Sequence, residues 1–176
     1  MPSLPTLTSS VANYKLGACS VTFNSIDCGL TKGGVQVDYK PTTVEKKVDK
    51  YGDTPVGVAL IGQRFEIKFK MAEGDLQHIA QAIAGAAAVM GTTKFEIDVG
   101  SIAGKDLASG TMVLHPLNAT DTTTDWNFVK VVQIGSPQFQ FKNEDGNIYE
   151  VTYLALIDET KGATGNGILN IGTKDT

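Results

Sequence analysis

The stretch YKPTTVEKKVDKYGDTPVG, residues 39–57, separates two segments that both carry the alternating pattern of β-strands. Before it, Val35, Val37 and Tyr39 alternate with polar residues, and after it apolar side chains recur at every second position from Phe65 to Met71. Alternation of this kind is typical of a strand with one buried face. Since two residues suffice to close a β-hairpin, the mostly polar connection predicts a long functional loop over residues 40–60.

The rest of the chain is also predicted to be mainly β. A helix is predicted from Leu76, where an apolar stripe recurs at helical spacing as far as Ala87, and Gly85 is expected to weaken its end. Without a βαβ alternation, the pattern favours an antiparallel β-sandwich or barrel with one flanking α-helix. The predicted strands lie at 19–24, 33–40, 61–71, 95–100, 111–117, 126–134, 137–142 and 148–157, with a hairpin turn over 143–147.

Length and composition indicate a single domain over residues 1–176, with a Ser/Thr/Pro-rich N-terminal arm over 1–17 and a flexible, glycine-rich C-terminal tail over 158–176. The net charge of −4 argues against the basic surface that nucleic-acid binding requires. No secretory signal is expected, and no apolar run is long enough for a membrane span. Cys19 and Cys28 are therefore expected to be free buried thiols, with a disulfide between them as the alternative.

The residues that usually carry catalysis or bind metals are few and isolated. The two histidines, His78 and His115, have no metal-ligating residue at the spacing of a known site, so each is predicted to be solvated or packed. The sequence contains no HExxH, CxxC, GxSxG or phosphate-binding GxxxxGK motif. It therefore predicts a protein that is not an enzyme and that binds no cofactor and no metal.

Residues 16–85 carry an ordered series of motifs: Val21-Thr22-Phe23 in a short strand, then GLTKGGV, then Asp-x-Tyr-Gly-x-Thr-Pro over residues 49–55, and finally MAE before the helix. With these motifs the segment resembles the N-terminal half of the major tail tube proteins of tailed bacteriophages. Over residues 125–157 only the strand–turn–strand pattern agrees. The resemblance implies a β-sandwich flanked by a helix, whose inner strands join those of neighbouring copies into a ring-shaped barrel.

The resemblance also implies a function. Tail tube proteins form hexameric rings that are assembled in the cytoplasm of the bacterial host and stack into the hollow tail tube of the virion, the conduit for genome delivery. The expected partners are other copies of the chain, the tape-measure protein and double-stranded DNA that pass through the lumen without specific binding, and terminator and baseplate proteins. The alternatives are a tail terminator, a baseplate hub component, a secretion-system tube protein and a carbohydrate-binding sandwich. Contractile and non-contractile tails both fit.

Two sets of residues are candidate functional sites. The lumen should avoid tight phosphate contacts, and the resemblance implies a net negative lumen. The cations Arg64, Lys68 and Lys70 are therefore expected to pair with carboxylates across strands, a role at a ring interface being the alternative. In the resembling family the long loop contacts the next ring. The resemblance therefore assigns ring stacking to the loop residues Lys40, Glu45, Lys46, Lys47, Asp49, Lys50, Tyr51 and Asp53. Strand alternation makes the lumen-facing candidates Gln36, Asp38, Arg64, Glu66, Lys68, Gln138, Gln140 and Glu150.

Overall fold

The computed structural model describes residues 18–73, 75–90, 95–100, 103–139, 148–162 and 167–172. Within these ranges the chain forms ten strands and two short α-helices. The strands are β1 (Cys19–Phe23), β2 (Ile26–Asp27), β3 (Thr31–Lys47), β4 (Pro55–Met71), β5 (Ala87–Met90), β6 (Phe95–Asp98), β7 (Ser109–Pro116), β8 (Trp126–Gln133), β9 (Tyr149–Ala155) and β10 (Leu169–Ile171). The helices are α1 (Leu76–Ala82) and α2 (Glu159–Gly162).

Eight strands form one antiparallel sheet in the order β2-β1-β7-β8-β9-β4-β3, with β10 also paired to β8. The sheet curves strongly, as shown by the distance of 5.3 Å between the Phe23 ring of β1 and the Tyr153 ring of β9. In a flat sheet these two strands would be three spacings, or roughly 14 Å, apart. Strands β5 and β6 form a separate two-stranded sheet. The predicted fold class is confirmed: the chain is mainly β and antiparallel, with a sandwich-like core and a flanking helix.

The core follows from the alternation that the sequence predicts. On β9, Tyr149, Val151 and Tyr153 are buried while the residues between them are more exposed. On β4, Ile67 and Phe69 are buried on the same side, and the Phe69 ring stacks on the Tyr153 ring with centroids 5.9 Å apart. Burying a large apolar side chain contributes about 1.5–3 kcal/mol. These alternating positions therefore fix which face of the sheet points inward.

Helix α1 begins at Leu76, as predicted, but ends at Ala82 rather than near Ala87. Its last carbonyls have no partner within the helix, and side chains of the sheet supply donors instead. The Tyr153 hydroxyl donates to the Gln81 carbonyl over 2.9 Å, and the Gln133 amide donates to the Ala82 carbonyl over 2.7 Å. The helix is thus attached to the sandwich by hydrogen bonds at its C-terminal end.

The prediction of a loop over residues 40–60 is wrong, because most of these residues lie in strands. Strand β3 continues to Lys47 and β4 begins at Pro55, so only a seven-residue connection with a 3₁₀ turn at Asp49–Tyr51 joins them. Gly52 completes this turn with φ of +59°, a value that disfavours residues with a side chain. β-branched residues such as Thr42 and Val44 suit extended backbone, and cross-strand hydrogen bonding extends the strands beyond the sandwich.

Other predictions are corrected or lie outside the described residues. Residues 137–139 form neither helix nor strand, although a strand is predicted over 137–142. The rest of that strand, the turn over 143–147 and the N-terminal arm 1–17 lie outside the described residues. The tail predicted over 158–176 contains α2 and β10. Its residues Ile168 and Leu169 pack against the core. Strand β10 pairs with residues 126–128 of β8, a part of that strand that β9 leaves unpaired.

The two cysteines are free thiols, as predicted. Cys28 is fully buried, while Cys19 is only half-buried. Burial, together with the nearby Asp27 carboxylate, raises the pKa of the Cys28 thiol to about 12. Among the described residues, no helix is long and apolar enough to cross a bilayer.

Candidate functional site: the hairpin extension and the outer sheet face

The outer part of the β3–β4 hairpin, residues 41–63, is called here the hairpin extension. Within the extension β3 and β4 pair with each other, whereas β4 pairs with β9 only from Glu66 onward. The extension is therefore a two-stranded ribbon that continues out of the sandwich. A two-stranded ribbon is marginally stable by itself in water, and in the described residues cross-strand pairing within the extension is what holds it.

Large apolar side chains are exposed along the whole extension. Their exposed fractions lie between 44% and 66%, although the same residue types are buried elsewhere in the sheet. Exposed apolar surface concentrated on one element in this way is typical of an interaction site. The residues are Val44, Val48, Tyr51, Val56, Val58, Leu60 and Ile61.

One side of the extension continues the core-facing side of the sheet. Starting at Tyr39, whose ring stacks on Phe65 with centroids 4.6 Å apart, every second residue of β3 stays on this side. Thr43 and Glu45 therefore lie there, and their partners across the ribbon are Leu60 and Val58. Leu60 and Val58 form an apolar row that we call the ridge.

The other side of the extension carries Val44 opposite Ala59 and Lys46 opposite Gly57. A register shift separates the Thr42–Gly62 pair from the Thr43–Leu60 pair, so Ile61 is an extra residue in β4 and forms a β-bulge. The bulge keeps Leu60 and Val58 on the core-facing side, although the alternation of β4 is interrupted.

The charged residues predicted to stack rings lie on the extension, and their side chains largely satisfy one another. Lys47 lies 3.8 Å from Glu45 and 3.6 Å from Asp53, and the Lys50 ammonium lies 5.6 Å from the centre of the Tyr51 ring. Ion pairs this exposed contribute little to stability. Lys46 and Asp49 are also exposed on the extension, whereas Lys40 lies at its base, 3.6 Å from Glu66.

The predicted lumen residues of β3 and β4 lie together on the face of the sheet opposite the core, called here the outer face. Gln36 is directly opposite Lys68, and Asp38 is opposite Glu66. The Lys68 ammonium lies 3.0 Å from the Asp38 carboxylate and 3.3 Å from Glu66, while Arg64 donates to Glu66 over 2.7 Å. The predicted pairing across strands is therefore confirmed for Lys68 with Asp38, whereas Arg64 pairs with Glu66 of its own strand.

The network holds its members in their charged forms. Two hydrogen bonds lower the pKa of the Asp38 carboxyl. The one from the Gln36 amide has the larger effect, and the other comes from the Lys68 ammonium. Hydrogen bonds from Arg64 and Lys68 lower the pKa of Glu66 in the same way. Reciprocally, the Asp38 and Glu66 carboxylates raise the pKa of the Lys68 ammonium. The outer face thus keeps its paired charges across the neutral pH range.

The β9 side of the outer face is more open. Glu150 lies directly opposite Lys70, but no ion pair joins these two in the described part of the chain. Both line a cavity of about 420 Å³ together with Gln138 and Thr152. Gln140 lies outside the described residues. The outer face has four cations, Lys40, Arg64, Lys68 and Lys70, against the carboxylates of Asp38, Glu66 and Glu150, so its described part is not net negative as the resemblance implied.

Sequence reasoning missed a groove beside the base of the extension, which is lined mostly by isoleucine, leucine and phenylalanine residues. The groove has a volume of about 520 Å³, and Ile157 and Ile171 on its rim are 54% and 60% exposed. It lies between β4 and β10, which are about one hundred residues apart in the sequence, so no local pattern could reveal it. The remaining lining residues are Gln63, Phe65, Gly167, Ile168 and Leu169.

Each of the two histidines contacts a carboxylate. The Nδ1 atom of His115 lies 2.6 Å from Asp125, which is buried, and that of His78 lies 3.5 Å from Glu73. No cluster of three or more His, Cys, Asp or Glu side chains in the described residues has the geometry to hold a metal ion. Neither contact was indicated by sequence spacing.

Comparison with known proteins gives a distant structural similarity. No family model matches the chain, and no curated protein matches it. Among solved structures, it is similar to one described as the sheath/tube terminator of an extracellular contractile injection system, PVC, in the extended state. The TM-score is 0.49 and the identity 13%, and the match covers 85% of this chain and 94% of that chain.

Proposed function

We propose that the chain is a structural protein, not an enzyme, that assembles into stacked hexameric rings and forms a phage tail tube for genome delivery. The observation that carries this proposal is the hairpin extension, an uncovered two-stranded ribbon with large apolar side chains along its length. The sequence resemblance of residues 16–85 to tail tube proteins supports the choice of this assembly over others.

The exposed side chains of the extension favour association. Seven large apolar residues there are each about half exposed. Since fully burying one such side chain contributes about 1.5–3 kcal/mol, covering the half-exposed Val58 and Leu60 on one side of the extension contributes roughly 1.5–3 kcal/mol per copy, or roughly 9–18 kcal/mol for six copies, before the entropy cost of association. A contact that covers the extension in a neighbouring ring therefore has a sufficient driving force.

The free edge of the sheet supports closure into a ring. Strand β3 is the terminal strand of the sheet order, and it extends from Thr31 to Lys47. A long exposed edge templates pairing with another chain. Pairing of β3 with a strand of the neighbouring copy would join the inner sheets of six copies into a continuous barrel with no free edges.

The outer face suits a lumen through which DNA passes without specific binding. Lys and Arg side chains that neutralise phosphates create tight, salt-dependent contacts. Here Lys68 and Arg64 are already within ion-pair distance of Asp38 and Glu66. In this proposal Gln36, Gln138, Gln140 and Glu150 also line the lumen. The tape-measure protein occupies the lumen before DNA.

The test is a shortened hairpin. Residues 43–61 are replaced by Asn-Gly, which closes a two-residue hairpin turn after the directly opposed pair Thr42 and Gly62. Negative-stain microscopy of the wild type at high concentration should show rings and long hollow tubes, while the shortened variant should show neither long tubes nor extended stacks. The variant should retain the circular dichroism spectrum of a folded β protein, because the core lies outside the replaced segment.

The result also distinguishes the proposed tube from its nearest alternative. A terminator should give single rings that do not stack, and a wild-type protein that remains a small monomer would contradict self-assembly. Tubes formed by the shortened variant would exclude the extension as the stacking element.

A further inference from the structure

The chain carries both halves of an apolar contact, and it cannot join them to each other. The ridge, Val58 and Leu60, lies on the core-facing side of the extension, and the groove opens on that same side at its base. Because β4 is one strand from Pro55 to Met71, Val58 stands roughly 20 Å beyond Phe65. The ridge therefore projects past the groove of its own chain, and none of the described residues of that chain fills the groove.

The chemistry of the two surfaces matches. Every residue that lines the groove is uncharged, and most are isoleucine, leucine or phenylalanine. On the extension, the charged neighbours of the ridge are Glu45 and Lys47, which lie 3.8 Å apart. Docking the ridge in the groove would therefore bury apolar surface on both sides without desolvating an unpaired charge, which is the costly event in an interface.

We propose that the ridge of one copy docks in the groove of the next copy, lined by Phe65, Ile157, Ile168, Leu169 and Ile171. This inference rests on the proposed function and identifies the receptor for its extension. Each copy then offers its ridge to one neighbour and its groove to another, a heterologous contact that propagates through an assembly. The occupant is a second copy because the same chain supplies an uncovered apolar ridge and an uncovered apolar groove.

The experiment separates the two halves. Val58→Asp removes the ridge and leaves the groove intact, whereas Ile171→Asp disrupts the groove and leaves the ridge intact. Both side chains are more than half exposed, so both variants should fold. In sedimentation velocity, each variant alone should lose the large assemblies of the wild type. A one-to-one mixture should form pairs of rings that grow no further, because the ring pairing through β3 is unchanged and only the ridges of one variant and the grooves of the other are intact.

Val44→Asp is the matched control. Val44 is an exposed valine of the same extension, but it lies on the opposite side, paired with Ala59. This variant should assemble as the wild type does. Wild-type-like assembly of Val58→Asp, equal loss in Val44→Asp, or a mixture that forms no complex would each overturn ridge-in-groove docking. A wild type that never assembles would instead contradict the proposed function itself.

Disulfide cross-linking between cysteine variants tests the same contact independently. Mixed under mild oxidation, Val58→Cys and Ile171→Cys variants should form an inter-chain disulfide, because docking brings the two positions together. A mixture of Val44→Cys and Ile171→Cys should give at most a tenth of that product. Equal yields in the two mixtures would show that cross-linking reflects random collision, and would overturn the proposal. Native Cys28 is buried, but Cys19 is only half-buried and could react. All three cysteine variants therefore carry Cys19→Ser.

Discussion

At the scale of single residues, Glu66 is the centre of the outer face. Its carboxylate oxygens lie 2.7 Å from Arg64, 3.3 Å from Lys68 and 3.6 Å from Lys40. One carboxylate therefore balances part of the charge of three cations, on the surface that is proposed to face DNA. The same residue decides both the pH response of the network and the affinity of the face for phosphate.

Glu66→Gln should lower the urea midpoint at neutral pH, and the difference from the wild type should vanish as the pH falls. The folded protein lowers the pKa of Glu66, so its stabilisation is present above the unfolded value of about 4.3 and is lost as the pH falls through the folded pKa. Urea unfolding at about pH 7 and about pH 3 measures this. A difference that persists unchanged at the lower pH would show that the carboxylate acts through packing and not through its charge.

At the scale of elements, α1 and the hairpin extension are stabilised in different ways. Helix α1 is short, and hydrogen bonds from Tyr153 and Gln133 reach its last carbonyls. The extension has no comparable contact with the sandwich in the described residues, and only its own cross-strand pairs hold it. The sandwich and its helix are therefore complete in one copy, whereas the extension is left for a partner to cover.

Tyr153→Phe should destabilise the protein by about 0.5–1.5 kcal/mol, the usual net contribution of one hydrogen bond. The substitution keeps the ring that packs against Phe23 and Phe69, and it removes only the hydroxyl that donates to the Gln81 carbonyl. Chemical denaturation measures the loss. Phe69→Leu, which changes the packing and leaves the hydroxyl, is the comparison. A Tyr153→Phe variant as stable as the wild type would mean that water replaces the hydroxyl at the helix end.

Most elements of the sandwich could be predicted, because one buried face imposes a period of two on β4 and β9. The outer face could be predicted for the same reason: alternation alone places Asp38, Glu66 and Lys68 on one side. The strands of the extension could not be, since polar and apolar residues occur on both of its sides and β-bulges interrupt the alternation. The groove could not be predicted either, because it depends on the long-range pairing of β10 with β8.

At the scale of the whole molecule, the contacts available for assembly are mainly apolar. Among the charges of the extension, which the sequence suggested as a docking surface, Glu45 and Asp53 pair with Lys47. The side chains left uncovered are valine, leucine and isoleucine on the extension and around the groove. Assembly should therefore respond to solvent conditions as apolar burial does, and not as attraction between charged surfaces does.

Assembly should strengthen on warming from about 5 to about 25 °C, because hydrophobic association weakens in the cold. It should change by less than about twofold between about 0.05 M and about 0.5 M NaCl, a range that strongly screens attraction between exposed charges. Light scattering and sedimentation at each condition measure both effects. Assemblies that dissociate as salt is added would instead assign stacking to the charged residues, such as Lys46 and Asp49.

The position of β10 in the sequence also sets when a copy can join others. Two of the groove residues, Leu169 and Ile171, belong to this strand, and it is synthesised after all nine others. A nascent chain therefore presents its extension before it has a groove. Chains on one polysome cannot receive each other's ridges until β10 has left the ribosome. Under ridge-in-groove docking, synthesis order would thus keep a nascent chain from receiving a ridge until β10 has folded.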